Sequence, residues 1–154
     1  MDNNDVFRRI RYIFKYNDEE MISIFALADY EVTRAQISNW LKKDDKPEFQ
    51  KILDYQLALF LNGFINSKRG KKEGEQPEPE RKLNNNIVFK KLKIALKYRD
   101  EDILEVFKLV DLRIGKTELS SFFRNPKQSQ YRPCKDQFLR NFLNGLQKKF
   151  SENK

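Results

Sequence analysis

The chain has 154 residues, 39% apolar, 13% aromatic and 35% charged, with a formal net charge of +8; that is material for one ordinary domain or two small ones, rich enough in apolar residues to bury a core. It has no histidine and a single cysteine, Cys134, which removes the usual general base, the commonest metal ligand, Ser-His and Cys-His pairs and any disulfide framework. The opening MDNNDVFRR is too acidic for a signal peptide, and no apolar run approaches the roughly 18 residues that span a bilayer, so a cytoplasmic, non-membrane protein in a reducing compartment is expected.

In chain order, Val6, Phe7, Ile10, Ile13 and Phe14 follow the spacing of one helix face, with Asn3 or Asn4 as the expected N-cap. A second helix starts at Asp18-Glu19-Glu20 and carries Met21, Ile22, Ile24, Phe25 and Ala28. A third, TRAQISNWLKK, starts with Thr33 as cap and turns Ile37, Trp40 and Leu41 inward. A fourth is expected from Pro47, a good first-turn residue. It carries Phe49, Ile52, Leu53, Leu57, Phe60 and Leu61 and stops near Asn62-Gly63, where glycine suits a left-handed cap. No stretch shows strand alternation.

The same order then repeats at an offset of 82 residues. NNDVFRRIRYIFKYNDEE at Asn3 returns as NNIVFKKLKIALKYRDED at Asn85, FLNG at Phe60 returns at Phe142, and 18 of 62 aligned positions are identical. A repeat of this kind defines the architecture: an all-α chain of two homologous modules, about four helices each, related by a pseudo-two-fold. The expected boundaries are module 1 at 1–66, an exposed charged linker at 67–83 (SKRGKKEGEQPEPERKL), and module 2 at 84–150.

The stretches IFALADYEVTRAQISNWLKKDD, LNNNIVFKKLKIALKYRDEDILE and CKDQFLRNFLNGL resemble the YehS-like family of small bacterial proteins, and the resemblance covers nearly the whole chain. It implies the tandem layout and a bacterial cytoplasmic setting. That family is a domain of unknown function, so the resemblance carries over no catalytic residues.

Chemistry-bearing residues have structural explanations. Cys134, flanked by Arg132 and Lys135, aligns with the core-type Ile52 and reads as a small buried hydrophobe. The triplets Asp18-Glu19-Glu20 and Asp100-Glu101-Asp102 sit where helices begin, and negative charge is favoured there; adjacent carboxylates on a helix do not converge on one ion. The five glycines form no phosphate-cradling loop. No enzyme, no cofactor and no metal site are expected.

Charge is the functional signal. Residues 1–66 carry 9 Lys+Arg against 11 Asp+Glu, while residues 84–154 carry 16 against 8. The stretch FFRNPKQSQYRPCKDQFLR gathers Arg124, Lys127, Arg132, Lys135 and Arg140 around Tyr131, a combination suited to phosphate contact with base stacking. Tyr131 aligns with Phe49, however, and a core role competes. A helix-turn-helix-like arrangement is the second source of candidates: the polar face of the third helix offers Arg34, Ser38, Asn39 and Lys42, with Lys116 on its counterpart. Against it, Tyr30-Glu31 and Leu112-Arg113 stand in the turns where glycine is usual, Leu27 and Leu109 fill the place of the usual small residue, and Glu118 would repel phosphate. The expected function is a non-enzymatic binding protein that engages DNA or RNA through the basic second module. The alternative is a protein-interaction or regulatory adaptor.

Overall fold

The structure is a computed structural model and describes residues 1–152. Among these, every regular element is a helix: α1 (Asn3–Phe14), α2 (Asp18–Ala26), α3 (Arg34–Leu41), α4 (Asp54–Arg69), α5 (Asn85–Leu96), α6 (Asp100–Lys108), α7 (Lys116–Ser121) and α8 (Asp136–Glu152). They form two compact units, residues 1–83 and the chain from Asn84 onward, each built from four helices in the same order.

Local sequence accounts for most helix starts. Asp2 and Asp5 close a capping box on α1, Asn17 and Glu20 on α2, and Thr33 and Gln36 on α3, each satisfying two backbone donors that a helix leaves unpaired. Asn84 caps α5 through the amide of Ile87. α1 and α5 end on left-handed Lys15 (φ 57°) and Lys97 (φ 58°), and α2 and α6 are followed by left-handed Asp29 and Asp111. The 82-residue repeat is therefore a backbone repeat, down to its rare conformations.

Each unit is organised by four aromatic rings. In the first, Phe7 lies 6.1 Å from Phe25, 5.8 Å from Trp40 and 4.8 Å from Phe60. In the second, Phe89 lies 6.2 Å from Phe107, 6.4 Å from Phe122 and 4.6 Å from Phe142. Burying one such ring contributes about 1.5–3 kcal/mol, and buried aliphatic side chains pack in the same core, among them Ile10, Ile37 and Leu57 in the first unit and Leu92, Ile103 and Leu139 in the second. Trp40 is a core residue, as its alignment with Phe122 implies.

Asn3 and Asn4 are not caps. Both lie inside α1, and Asn4 is buried. Its side-chain amide donates to the carbonyls of Trp40 (2.9 Å) and Gln50 (2.9 Å), and its oxygen accepts from the amide of Ile52 (3.0 Å). Asn3 donates to the Ile52 carbonyl and to Asp54. The second unit repeats the clamp: Asn86 donates to Phe122 and Arg132 and accepts from Cys134, and Asn85 donates to the Cys134 carbonyl and Asp136.

That clamp corrects the expected fourth helix. The helix starts at Asp54, not Pro47. The stretch from Lys43 to Leu53 runs through turns and then extends, because Asn3 and Asn4 take the backbone groups of Gln50 and Ile52 that a helix would pair internally. Leu53, expected to be inward, is the N-cap residue and 54% exposed. α4 also does not stop at Gly63 but runs on to Arg69. Gly63 is buried where α4 crosses α2, and a Cβ there would collide with the backbone of Ile24; a Cβ on Gly145 would come within 2.6 Å of the Val106 carbonyl oxygen. These glycines permit close helix approach rather than ending a helix.

Most of segment 67–83 is exposed, but it does not stand apart from the first unit. Its first residues complete α4. Lys71 then pairs with Asp29 (2.6 Å), Gln76 bonds Asn66 (2.8 Å), and the Leu83 amide donates to Asp54 (2.8 Å). With that segment included, the first unit carries 15 Lys+Arg against 15 Asp+Glu, and the second 16 against 8.

Candidate nucleic-acid interface

The basic candidates of the second unit cluster on one loop between α7 and α8. Arg124, Lys127, Arg132 and Lys135 are all exposed. The loop is held by its own bonds: Lys127 N to the Asn125 side chain (2.9 Å), Gln128 N to the Asn125 carbonyl (2.9 Å) and Tyr131 N to the Gln128 carbonyl (3.1 Å). The Arg132 amide donates to Ser121, and the Asn86 clamp pins Arg132 and Cys134 from within. The loop's cations are therefore carried on a fixed backbone, which lowers the ordering cost of a contact.

The cations differ in how much of their hydrogen-bonding capacity is already used. Arg132 donates through Nη1 to the carbonyls of Ser129 (2.9 Å) and Tyr131 (2.8 Å); the guanidinium carries five donors in all, so those on Nε and Nη2 remain for a partner. The side chains of Arg124, Lys127 and Lys135 pair with no carboxylate among the described residues. Arg140 is exposed but lies on α8, one helical turn from Asp136, and not on the loop. Tyr131 is half-buried, like its counterpart Phe49.

The helix-face candidates are engaged within the protein. Arg34 pairs with Glu19 (3.0 Å), and Lys116 with Glu101 (2.8 Å), the same bridge in both units. Through this contact the Lys116 ammonium is raised above its ordinary value and the Glu101 carboxyl lowered. Lys42 donates to Asn39, and Arg8 reaches the carbonyls of Leu41 and Lys42 at the end of α3. Ser38 and Asn39 are half-buried. The segments joining α2 to α3 and α6 to α7, residues 27–33 and 109–115, are longer than the three- or four-residue turn of a helix-turn-helix.

An open groove of about 660 Å³ lies beside the basic loop, between α7 and the start of α8. Phe122, Pro133 and half-buried Phe138 supply its apolar surface, and Arg132 and Lys135 stand on its edge. Sequence reasoning does not single out Phe138. The available signal is the repeat itself: Phe138 aligns with Gln56, an aromatic where the first module has an amide. A second groove, lined in part by Leu104, Leu112 and Ile114, sets Glu101, Glu105 and Asp111 against Lys108 and Arg113 and so offers phosphate no net attraction.

Cys134 is 5% exposed, and burial pushes its thiol up to about 12. It has almost no thiolate near neutral pH and is the loop residue whose side chain enters the core. Among the described residues, no three His, Cys, Asp or Glu side chains gather as metal ligands, and no helix is long and apolar enough to cross a membrane.

Comparison with known proteins follows the same division. The uncharacterized protein YehS of Escherichia coli (strain K12) is 45% identical over 147 residues, covering 95% of this chain and 94% of its own length. No solved structure matches. A family described as "Protein of unknown function (DUF1456)" matches residues 3–70 and again 85–150. The first match runs from the start of α1 to one residue past α4, and the second from the start of α5 into the last turn of α8, so each match is one four-helix unit. The chain belongs to the DUF1456 family, whose unit it carries twice.

Proposed function

We propose that this chain is a non-enzymatic binding protein that engages nucleic acid through its second unit. One observation carries the reading: the whole net charge of +8 resides in that unit, and four of its cations are exposed on the single loop from Arg124 to Lys135 without carboxylate partners. Phosphate binding needs cations that are not already neutralised. The helix-face residues Arg34 and Lys116, bound to Glu19 and Glu101, are secondary in this reading. Absence of histidine and burial of the lone thiol favour binding over catalysis, and the setting that suits both is the cytoplasm.

The test is anisotropy of labelled RNA and DNA over a range of salt. Four phosphate contacts give a log–log salt slope of about −3, or roughly a fifty-fold loss between 50 and 200 mM. Reversal at Arg124→Glu and Lys127→Glu, whose side chains hold nothing else together, weakens binding uniformly across sequences. Negligible retention on both nucleic acids at low salt overturns the reading.

A second reading rests on the first unit. There Leu53 and Tyr55 are 54% and 36% exposed at the positions that carry Lys135 and Gln137 in the second. Exposed apolar side chains on a unit of zero net charge favour a protein partner. A partner retained after nuclease treatment and lost with Leu53→Glu supports this adaptor role.

A further inference from the structure

We infer that the groove between α7 and α8 accepts an unstacked base of a single-stranded nucleic acid, with Phe138 as the stacking surface and Arg132 and Lys135 holding the flanking phosphates. The inference rests on the nucleic-acid reading above and narrows it to one strand state and one set of residues.

A duplex is read by a helix laid in the major groove with free polar side chains along it. α7 does not meet that need. It has six residues; Lys116 is bound to Glu101, Ser120 donates to Asp100 (2.9 Å), and Glu118 lies in its first turn. The groove beside it sets an aromatic side chain next to two cations, the pairing a single strand requires, with the Glu118 carboxylate on its α7 wall. Phe138 packs its ring against Phe122 at 5.2 Å, with an interplanar angle of 50°. Phe122 is 3% exposed, so it backs Phe138 rather than competing for the ligand. The groove volume of about 660 Å³ is within the range of small-ligand clefts, ample for one base. Gln130 and Gln137 on its wall supply amide donors and acceptors for a base edge.

The first unit is a built-in control. On the same scaffold it carries Gln56 for Phe138, Gln50 for Arg132, Leu53 for Lys135 and Glu48 for Gln130. It lacks both phosphate-holding cations and the aromatic at the Phe138 position; Tyr55, Lys51 and Gln36 stand where the second unit has Gln137, Pro133 and Glu118.

The experiment uses the full chain with fluorescein-labelled oligo(U), oligo(dT) and a duplex of equal length, and a 2-aminopurine oligonucleotide to report stacking. Either single strand should bind at least about tenfold more tightly than the duplex, and RNA against DNA shows whether the sugar matters. Phe138→Gln, which installs the residue the first unit already tolerates, should weaken single-strand binding by about tenfold and abolish 2-aminopurine quenching, with the salt slope unchanged. Phe138→Leu keeps the apolar packing and should show the same loss, which separates stacking from misfolding. Arg132→Gln should instead reduce the salt slope by about 0.7. Equal affinity for duplex, or Phe138 variants that bind normally while Arg124→Glu with Lys127→Glu fails, overturns the groove and leaves the nucleic-acid reading standing. No binding to any of the three overturns both.

Discussion

The two units are one fold with two surfaces. Their cores coincide position by position: Phe7 and Phe89, Phe25 and Phe107, Trp40 and Phe122, Phe60 and Phe142. So do the asparagine clamps and the left-handed residues. The surfaces diverge. The first unit is electrically balanced, is strapped by residues 70–83 and exposes Leu53 and Tyr55; the second is strongly basic and presents Arg132 and Lys135 beside an aromatic groove. A repeated unit whose interior is held while its exterior differs is constrained by packing inside, and on the proposed reading by what each surface binds outside. The difference therefore points to where partner recognition lies.

The comparison breaks most readily at the clamps. Asn4→Ala and Asn86→Ala each strand one buried carbonyl, one part-buried carbonyl and one buried amide, and each should cost about 3 kcal/mol. Hydrogen exchange should become fast at Ile52 in one variant and Cys134 in the other. A loss in only one unit would show that the two clamps are not equivalent.

Next in size are the crossing glycines. Gly63→Ala and Gly145→Ala force α4 from α2 and α8 from α6, and should each cost about 2 kcal/mol. Gly63→Ala should be the more damaging, because its Cβ meets the Ile24 backbone more closely than that of Gly145 meets Val106. Urea midpoints of the two variants test the order.

A smaller effect separates the units by pH. In the second, Asp100 accepts from both Lys93 (3.0 Å) and Ser120 (2.9 Å), whereas in the first Asp18 accepts from Arg11 and the aligned Ser38 makes no bond to it. Burial works against the Asp100 carboxylate, but the bonds to Lys93 and Ser120 and the nearby charges outweigh it and hold the carboxyl below its ordinary value. A folded-state value lowered in this way stabilises above the unfolded value of about 3.9 and is lost as pH falls through the lower folded value. Acidification below about pH 4 should therefore loosen α6 from α7, seen as line broadening at Ser120, and Asp100→Asn should remove that step.

The smallest effect is a repair. α3 has the Thr33 and Gln36 capping box and eight residues; α7 begins at Gly115 with no side-chain cap and has six. Gly115 has an ordinary extended backbone and open space around a Cβ. Gly115→Thr, facing Glu118 at the capping-box position, should add about 0.5–1 kcal/mol, read as a raised thermal midpoint.

Much of this was legible in the residues. Helical periodicity placed α1, α2 and α3 and most of their buried faces, though Phe14, Ile22 and Leu41 are only half-buried and Ala28 lies past the end of α2. The repeat assigned Trp40 and Cys134 to the core by aligning them with Phe122 and Ile52. The fourth helix was misplaced because Phe49, Ile52 and Leu53 have helical spacing, while the bonds that hold them extended come from Asn3 and Asn4, about fifty residues earlier. Of the basic candidates, Arg124, Lys127, Arg132 and Lys135 lie exposed on one loop, and Arg132 and Lys135 line the same groove. Lys116 and Arg34 are drawn off by carboxylates fifteen positions away, which no local pattern discloses.

The sequence by itself determined the all-helical class, the duplication and the charge imbalance, because periodicity, offset and net charge are properties of order and composition. Only the tertiary structure decided which asparagines are clamps, which glycines let helices cross and which cations are left without partners. Those roles depend on groups that meet across the fold, as Phe138 at the start of α8 meets Phe122 after α7.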